Sequence, residues 1–186
     1  LFRSDGTETA LKTGLKVLAS EIVDATFMSA SALDAFLAKT VDQAKAENVL
    51  YSLHLKATMM KVSDPILFGH AVKVFFADTF AKHGAAIEAA GLSANDGLGA
   101  ILDGLANIEG GQAIIDDFKK NLADGPSLSY VNSDKGITNL HVPSDVIVDA
   151  SMPALIRNGG KLWDVTGAEH DTIAVIPDSS YAGIYQ

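Results

Sequence analysis

A chain of 186 residues that is 48% hydrophobic, with a mean hydropathy of +0.20, carries enough apolar material for one substantial core, which argues against disorder. A net charge of -9 and a pI near 4.8, with no basic patch, argue against a nucleic-acid partner, because phosphate binding needs a cationic surface. The absence of cysteine removes disulfides, thiolate chemistry and cysteine-zinc sites and fits a reducing compartment, while apolar runs well short of the ~20 residues of a membrane helix predict no membrane span.

In chain order, Leu1 to Leu11 reads as a hairpin turning at Asp5-Gly6. The opening Leu1-Phe2-Arg3 is expected to be no leader, since it lacks both an initiator Met and a basic then apolar stretch. Ser31 is the expected cap of a helix of roughly four turns, with Asp34 at the capping-box position, Leu33, Phe36, Leu37, Val41 and Ala44 on its inner face, and an end near Asn48. Val49 to Lys56 alternates as a strand: Val49, Tyr51, Leu53 and Leu55 face one way, and Leu50, Ser52, His54 and Lys56 the other. His54 and Lys56 therefore share a face at the C-terminal end of a strand, where ligands collect in open α/β sheets. Asp64 and Pro65 predict the start of the next helix, whose stripe is Leu67, Ala71, Val74, Phe75 and Asp78, with Phe76 and Phe80 alongside.

Gly91 to Gly111 reads as a glycine-punctuated helical stretch, and Gln112 to Leu122 as an amphipathic helix with Ile114, Ile115, Phe118 and Leu122 inward and Asp116, Asp117, Lys119 and Lys120 wet. Gly125-Pro126 turns the chain into a short strand, Leu128 to Val131, and a polar loop follows. A helix is expected from Ser144 to Arg157, capped by Ser144 and ended by Gly159-Gly160, although Pro153 inside it implies a kink or a later start. Thr172 to Ile176 is an apolar strand, and Asp178 is expected to cap a final helix on which Tyr181 and Tyr185 pack. The pattern is α/β, and no internal repeat interrupts it. Both ends read as cut, because a strand opens at the first residue and an apolar helix stops just after it begins; a small domain with ragged ends is the alternative.

Several motifs fail. Gly97, Gly99 and Gly104 have neither the spacing nor the preceding strand of a dinucleotide loop and read as helix packing. No nucleophile elbow is present. The five histidines, His54, His70, His83, His141 and His170, never fall at the spacing that puts two imidazoles on one helix face, so each reads as an ordinary surface or hydrogen-bonded histidine. Met59-Met60 reads as packing. Two groups remain. Lys56, ending an apolar strand, is either a proton carrier tuned by partial burial or a lysine snorkelling to water. Asp149, embedded in VIVDASM, either caps or pairs locally or serves as a hard-oxygen metal ligand, and burial would require a partner. Asn132, Ser133, Lys135, Thr138, Asn139 and His141 form the densest polar cluster, which reads either as cleft lining or as a self-satisfied turn network.

The run LKATMMK and the segment VIVDASMPALI are similar to the lysine and aspartate motifs of the decarboxylating dehydrogenases acting on isocitrate and isopropylmalate. The longer strings SLHLKATMMKVSDP, VNSDKGITNLHVPSDVIVDASMPA and AVIPDSSYAGIYQ resemble the monomeric NADP-dependent isocitrate dehydrogenases, and the resemblance covers essentially the whole chain. It implies a mixed sheet flanked by helices, isocitrate/isopropylmalate dehydrogenase-like, with residues 1–186 as part of the large catalytic domain, truncated at both ends. It implies a cytoplasmic enzyme that decarboxylates isocitrate oxidatively with Mg²⁺ or Mn²⁺ and NADP. Lys56 would be the catalytic lysine near the substrate C2 hydroxyl and Asp149 a metal ligand; Lys56, with Asn132, Ser133 and Lys135, would touch substrate. The arginines that hold isocitrate's three carboxylates, the catalytic tyrosine, the other metal aspartates and the NADP contacts would lie outside this stretch, so the chain is expected to need the remainder of the enzyme, with pairing through its exposed ends left open. A noncatalytic binding module and a metal-dependent lyase acting on a hydroxy acid stand as alternatives.

Overall fold

A computed structural model describes residues 3–10, 12–23, 27–56, 63–178 and 183–184. Near the start, Gly6 turns the chain at a φ of 81° and Arg3 N donates to Thr7 O, as the Asp5-Gly6 pair predicts; Leu1, Phe2 and Leu11 lie outside the described residues.

The first helix, α1 (Ala30–Glu47), is capped two residues before the expected position: the Ser29 hydroxyl accepts from Ala32 N, and Asn48 closes the helix in the left-handed region at a φ of 53°. Asp34 hydrogen-bonds to His70 instead of forming a capping box, with Nδ1 and Oδ1 2.6 Å apart. Leu33, Leu37 and Ala44 are buried and Val41 partly so, whereas Phe36 is 41% exposed and leaves the expected stripe.

The strand β1 (Leu50–Leu53) is the pivot of the fold, and its backbone is bonded on both sides. Leu50 to Leu53 run parallel to Thr172–Val175 of β5 (Glu169–Val175), and β5 pairs antiparallel with β4 (Lys161–Trp163), so the sheet is mixed, in the order β1-β5-β4. On the opposite edge, Tyr51 N donates to Ser127 O and Ser129 N to Tyr51 O, and farther along Leu55 N donates to Val146 O and Val148 N to Leu55 O. Between these two bridges no backbone of the described residues fills the gap. The Asn139 carboxamide does, accepting from Leu53 N at 2.6 Å and donating to Leu53 O at 3.1 Å. Alternate residues point to opposite faces, as the pattern predicts: Tyr51, Leu53 and Leu55 enter the main core, while Leu50 packs with Val148, Met152, Leu155 and Leu162.

The expected long helix after Asp64 is two helices, α2 (Ser63–Phe75) and α3 (Ala77–Ala89), meeting at the buried Phe76. After a short 3-10 turn come α4 (Gly97–Leu105) and α5 (Gly111–Asp124). Ile114, Ile115 and Phe118 point inward, and Phe118 meets the rings of Phe76 and Phe80 edge-on at centroid distances of 5.1 and 5.7 Å. Asp117, read as a wet-face residue, clamps α5 to α3 through Lys82 and His83, which hold its carboxyl below the usual carboxylate range. The hairpin β2 (Tyr130–Asn132) and β3 (Ile137–Thr138) forms a separate two-stranded sheet.

The expected Ser144-to-Arg157 helix is a 3-10 turn, Pro143–Val146, followed by α6 (Val148–Arg157). Ile147 is extended, with φ -68° and ψ 112°, because it pairs with Leu55; a strand-like residue cannot also be helical, so α6 starts after it. Gly159 and Gly160 then follow the helix at positive φ, as expected. Among the described residues, no helix is long and apolar enough to cross a membrane.

Candidate active site

β1 continues past its last sheet residue to the Leu55 bridge, which fixes the direction of Lys56. Its side chain is only 10% exposed, and its ammonium forms an ion pair with the Asp149 carboxylate on the first turn of α6. Asp149 is 55% exposed. The helix start favours a negative charge there through its exposed N–H dipoles. The Lys56 stem is enclosed, and its charge meets the acid of a half-exposed partner. Residues 93 apart in sequence thus form one pair, an enclosed cation against an open carboxylate.

Two residues stand beside the pair: His54, which the strand alternation places on its face, and Ser151, which the sequence did not mark. His54, two positions before Lys56 on the same face, is fully buried, and its Nδ1 lies 2.7 Å from Ser151 Oγ. With the Ser151 hydroxyl donating to Ile147 O at 2.8 Å, the network assigns the imidazole as donor to Ser151, with its hydrogen on Nδ1. Burial pushes the His54 pKa down to about 4, which keeps the ring neutral near pH 7. Strand alternation marks His54; Ser151, two positions from Asp149 on the helix, carries no such local signal.

The other sequence-predicted site residues are not brought to this pair. Asn132 Oδ1 accepts from Lys135 N at 3.1 Å, and Ser133 Oγ donates to Asp164 O at 2.8 Å, in the turn that joins β4 to β5. That turn lies beyond the N-terminal end of β1, because Thr172 of β5 already pairs with Leu50. Asn132, Ser133 and the exposed Lys135 therefore occupy the opposite end of the β1–β5 pair from Lys56 and Asp149. The rest of the polar cluster is structural. Asn139 completes the ladder, and Thr138 N donates to His141 Nδ1 at 2.9 Å, with burial lowering the His141 pKa. Met59-Met60, Tyr181 and Tyr185 lie outside the described residues.

The glycine-rich start of α4 is already occupied. Leu98 N and Gly99 N donate to the carbonyls of Leu140 and His141, so these helix N–H groups bind the chain itself. Among the described residues, no group of three or more His, Asp or Glu is placed to hold a metal ion. Asp149, with its half-exposed carboxylate, fits as one hard-oxygen ligand of a larger shell.

Comparison with known proteins identifies the family. The family model described as "Monomeric isocitrate dehydrogenase" matches residues 1–186. The chain is 61% identical over 183 residues to "Isocitrate dehydrogenase [NADP]" of Corynebacterium glutamicum, a match that covers 98% of this chain. It is 51% identical to the protein of the same name from Azotobacter vinelandii over 188 residues, covering 100% of this chain, and 43% identical over 188 residues, again covering 100%, to "Isocitrate dehydrogenase [NADP] 2" of Mycobacterium tuberculosis. The chain spans a quarter (25%) of the length of each of these relatives. With a family match along its full length, the chain belongs to the monomeric isocitrate dehydrogenase family.

Proposed function

We propose that this chain forms one wall of the active site of an NADP-dependent isocitrate dehydrogenase, as part of its large catalytic domain, in the oxidative decarboxylation of isocitrate to 2-oxoglutarate and CO₂. The observation that supports this reading most directly is the contact between Lys56 and Asp149. Lys56, held by a strand and enclosed along its stem, binds the C2 oxygen of the substrate and holds or moves a proton there. Asp149 gives a carboxylate oxygen to Mg²⁺ or Mn²⁺ and keeps a negative charge beside the ammonium. The cation, when bound, polarises the C2 oxygen and supports the charge that develops as CO₂ leaves.

The same residues also explain why the chain does not suffice. Isocitrate carries three carboxylates, which call for arginines in bidentate geometry, and the chain has only Arg3, bonded to Thr9, and Arg157, at the end of α6. The rest of the longer enzyme is the partner that supplies the missing groups, and the cysteine-free composition suits a cytoplasmic enzyme.

A chimera tests the proposal. The matching quarter of the Corynebacterium glutamicum enzyme is replaced by this chain, and turnover is measured with isocitrate, Mn²⁺ and NADP⁺. The chimera is expected to be active, and Lys56→Met and Asp149→Asn each to lower kcat/KM by about 10²-fold or more, while the 186-residue chain alone shows no turnover. An active chimera that tolerates both substitutions would refute the assignment.

A further inference from the structure

Helix α6 carries Asp149 on its first turn, yet no side chain caps it: its N-cap residue is Ile147. Pro153 has no N–H, so the Asp149 carbonyl also lacks the usual i+4 helical bond. The placement of this turn must come from elsewhere, and the contacts around it close a ring. Leu55 of the central strand exchanges two backbone bonds of 2.6 Å with Val146 and Val148. Ile147, between them, receives at its carbonyl both Ser151 N and Ser151 Oγ, each at 2.8 Å. Ser151 Oγ in turn accepts from His54 Nδ1, one residue before Leu55 on the strand. The ring runs from strand to strand through the start of α6, and Asp149 lies inside it. His54 is enclosed completely, so it reaches any ligand only through Ser151.

We infer that His54, acting through Ser151, is a positioning residue that sets the Asp149 carboxylate against Lys56; this rests on the roles proposed above for those two residues. A buried histidine that merely filled space would need no donor at Nδ1. A positioning histidine needs that one N–H and nothing from its other nitrogen, and among the described residues Nε2 makes no hydrogen bond. The test follows from the shape of the side chains. In the chimera, His54→Asn retains an N–H near the δ position, His54→Phe retains bulk without a donor, and Ser151→Ala removes the acceptor with little change in volume. Affinity for Mn²⁺ alone, kcat, KM and thermal unfolding are measured for each variant and for the His54→Phe/Ser151→Ala double variant.

The expected result is that His54→Phe and Ser151→Ala each weaken Mn²⁺ binding by about tenfold or more, as loss of a residue that orients a metal ligand does. The double variant is expected to be no worse than either single one, and His54→Asn to stay near the parent. kcat is expected to fall with Mn²⁺ affinity while KM for isocitrate changes less. Thermal destabilisation with unchanged Mn²⁺ affinity, or losses that multiply in the double variant, would overturn the inference. Should His54→Phe fail to fold, Ser151→Ala and His54→Asn still decide the matter. Asp149→Asn separates the two levels. If that change leaves Mn²⁺ affinity intact, the ligand assignment falls and takes the inference with it; if it abolishes binding while Ser151→Ala changes nothing, only the inference falls.

Discussion

Replacing Asn139 by Ala probes a side chain that stands in for a missing stretch of strand. Its carboxamide accepts from Leu53 N and donates to Leu53 O, with Asn139 and Leu53 both buried. Removal leaves a buried N–H and a buried C=O on the central strand without partners, and each such loss costs about 1–3 kcal/mol, so a total of about 3 kcal/mol is expected. Asn139→Asp sharpens the test. The introduced carboxyl still accepts from Leu53 N but, when ionised, sets an oxygen against Leu53 O. Only its protonated form restores the donor, so its folded-state pKa rises above the ordinary carboxylate value near ~4. Stability gained from the protonated form is complete at acid pH and is lost as pH rises through that raised pKa. The Asp variant should therefore approach the parent in acid and fall away toward neutrality, a dependence the Ala variant lacks. Urea midpoints of the 186-residue chain, followed by circular dichroism across this pH range, report both effects. A loss below about 1 kcal/mol for Asn139→Ala would mean that the Leu53 peptide is satisfied without Asn139, which would refute the reasoning.

Two further outcomes follow from buried groups. Burial holds the His54 pKa at about 4, below its unfolded value, so stability is full above about pH 6.5 and declines as pH falls toward 4; the gap is worth roughly 3 kcal/mol, and His54→Asn should remove that part of the acid slope in a urea series. Identical slopes in parent and variant would count against the assignment. Gly97 sits at a φ of 92° with the His141 carbonyl where a Cβ would go, so Gly97→Ala should cost about 2–3 kcal/mol in the same assay, whereas Gly84→Ala, inside α3 with open space around it, should gain about 0.5–1 kcal/mol.

What the sequence made legible was local. The alternation from Val49 to Lys56 correctly assigns both faces of β1, and with them the shared side of His54 and Lys56, because a strand's period of two needs no knowledge of its neighbours. The glycines after Arg157 and the inward face of α5 follow from equally short-range rules. The start of α6 was not legible. Ser144 has a capping side chain in a plausible place, but the pairing of Ile147 with Leu55, set by a strand far away in sequence, overrides that local preference. The same applies to Asn139, whose role exists only because two bridges leave a gap between them, and to β4, three residues whose identity as a strand comes from β5. Phe36 shows the opposite error: it obeys the helical period of the buried stripe but lies at its edge, where that period alone does not reveal how far the covering elements extend.

The candidate site gains its character from unequal burial of two charges on rigid elements. An ammonium enclosed to this degree needs a counter-charge, since an isolated buried cation is costly, and Asp149 meets that need from the water side. Asp149 is the more exposed member of the pair, at 55% against 10% for Lys56. On the roles proposed for the pair, the open carboxylate is the group a cation would meet and the covered ammonium the group a substrate oxygen would meet, and both are carried by the strand and the helix that the Leu55–Ile147 bridge joins.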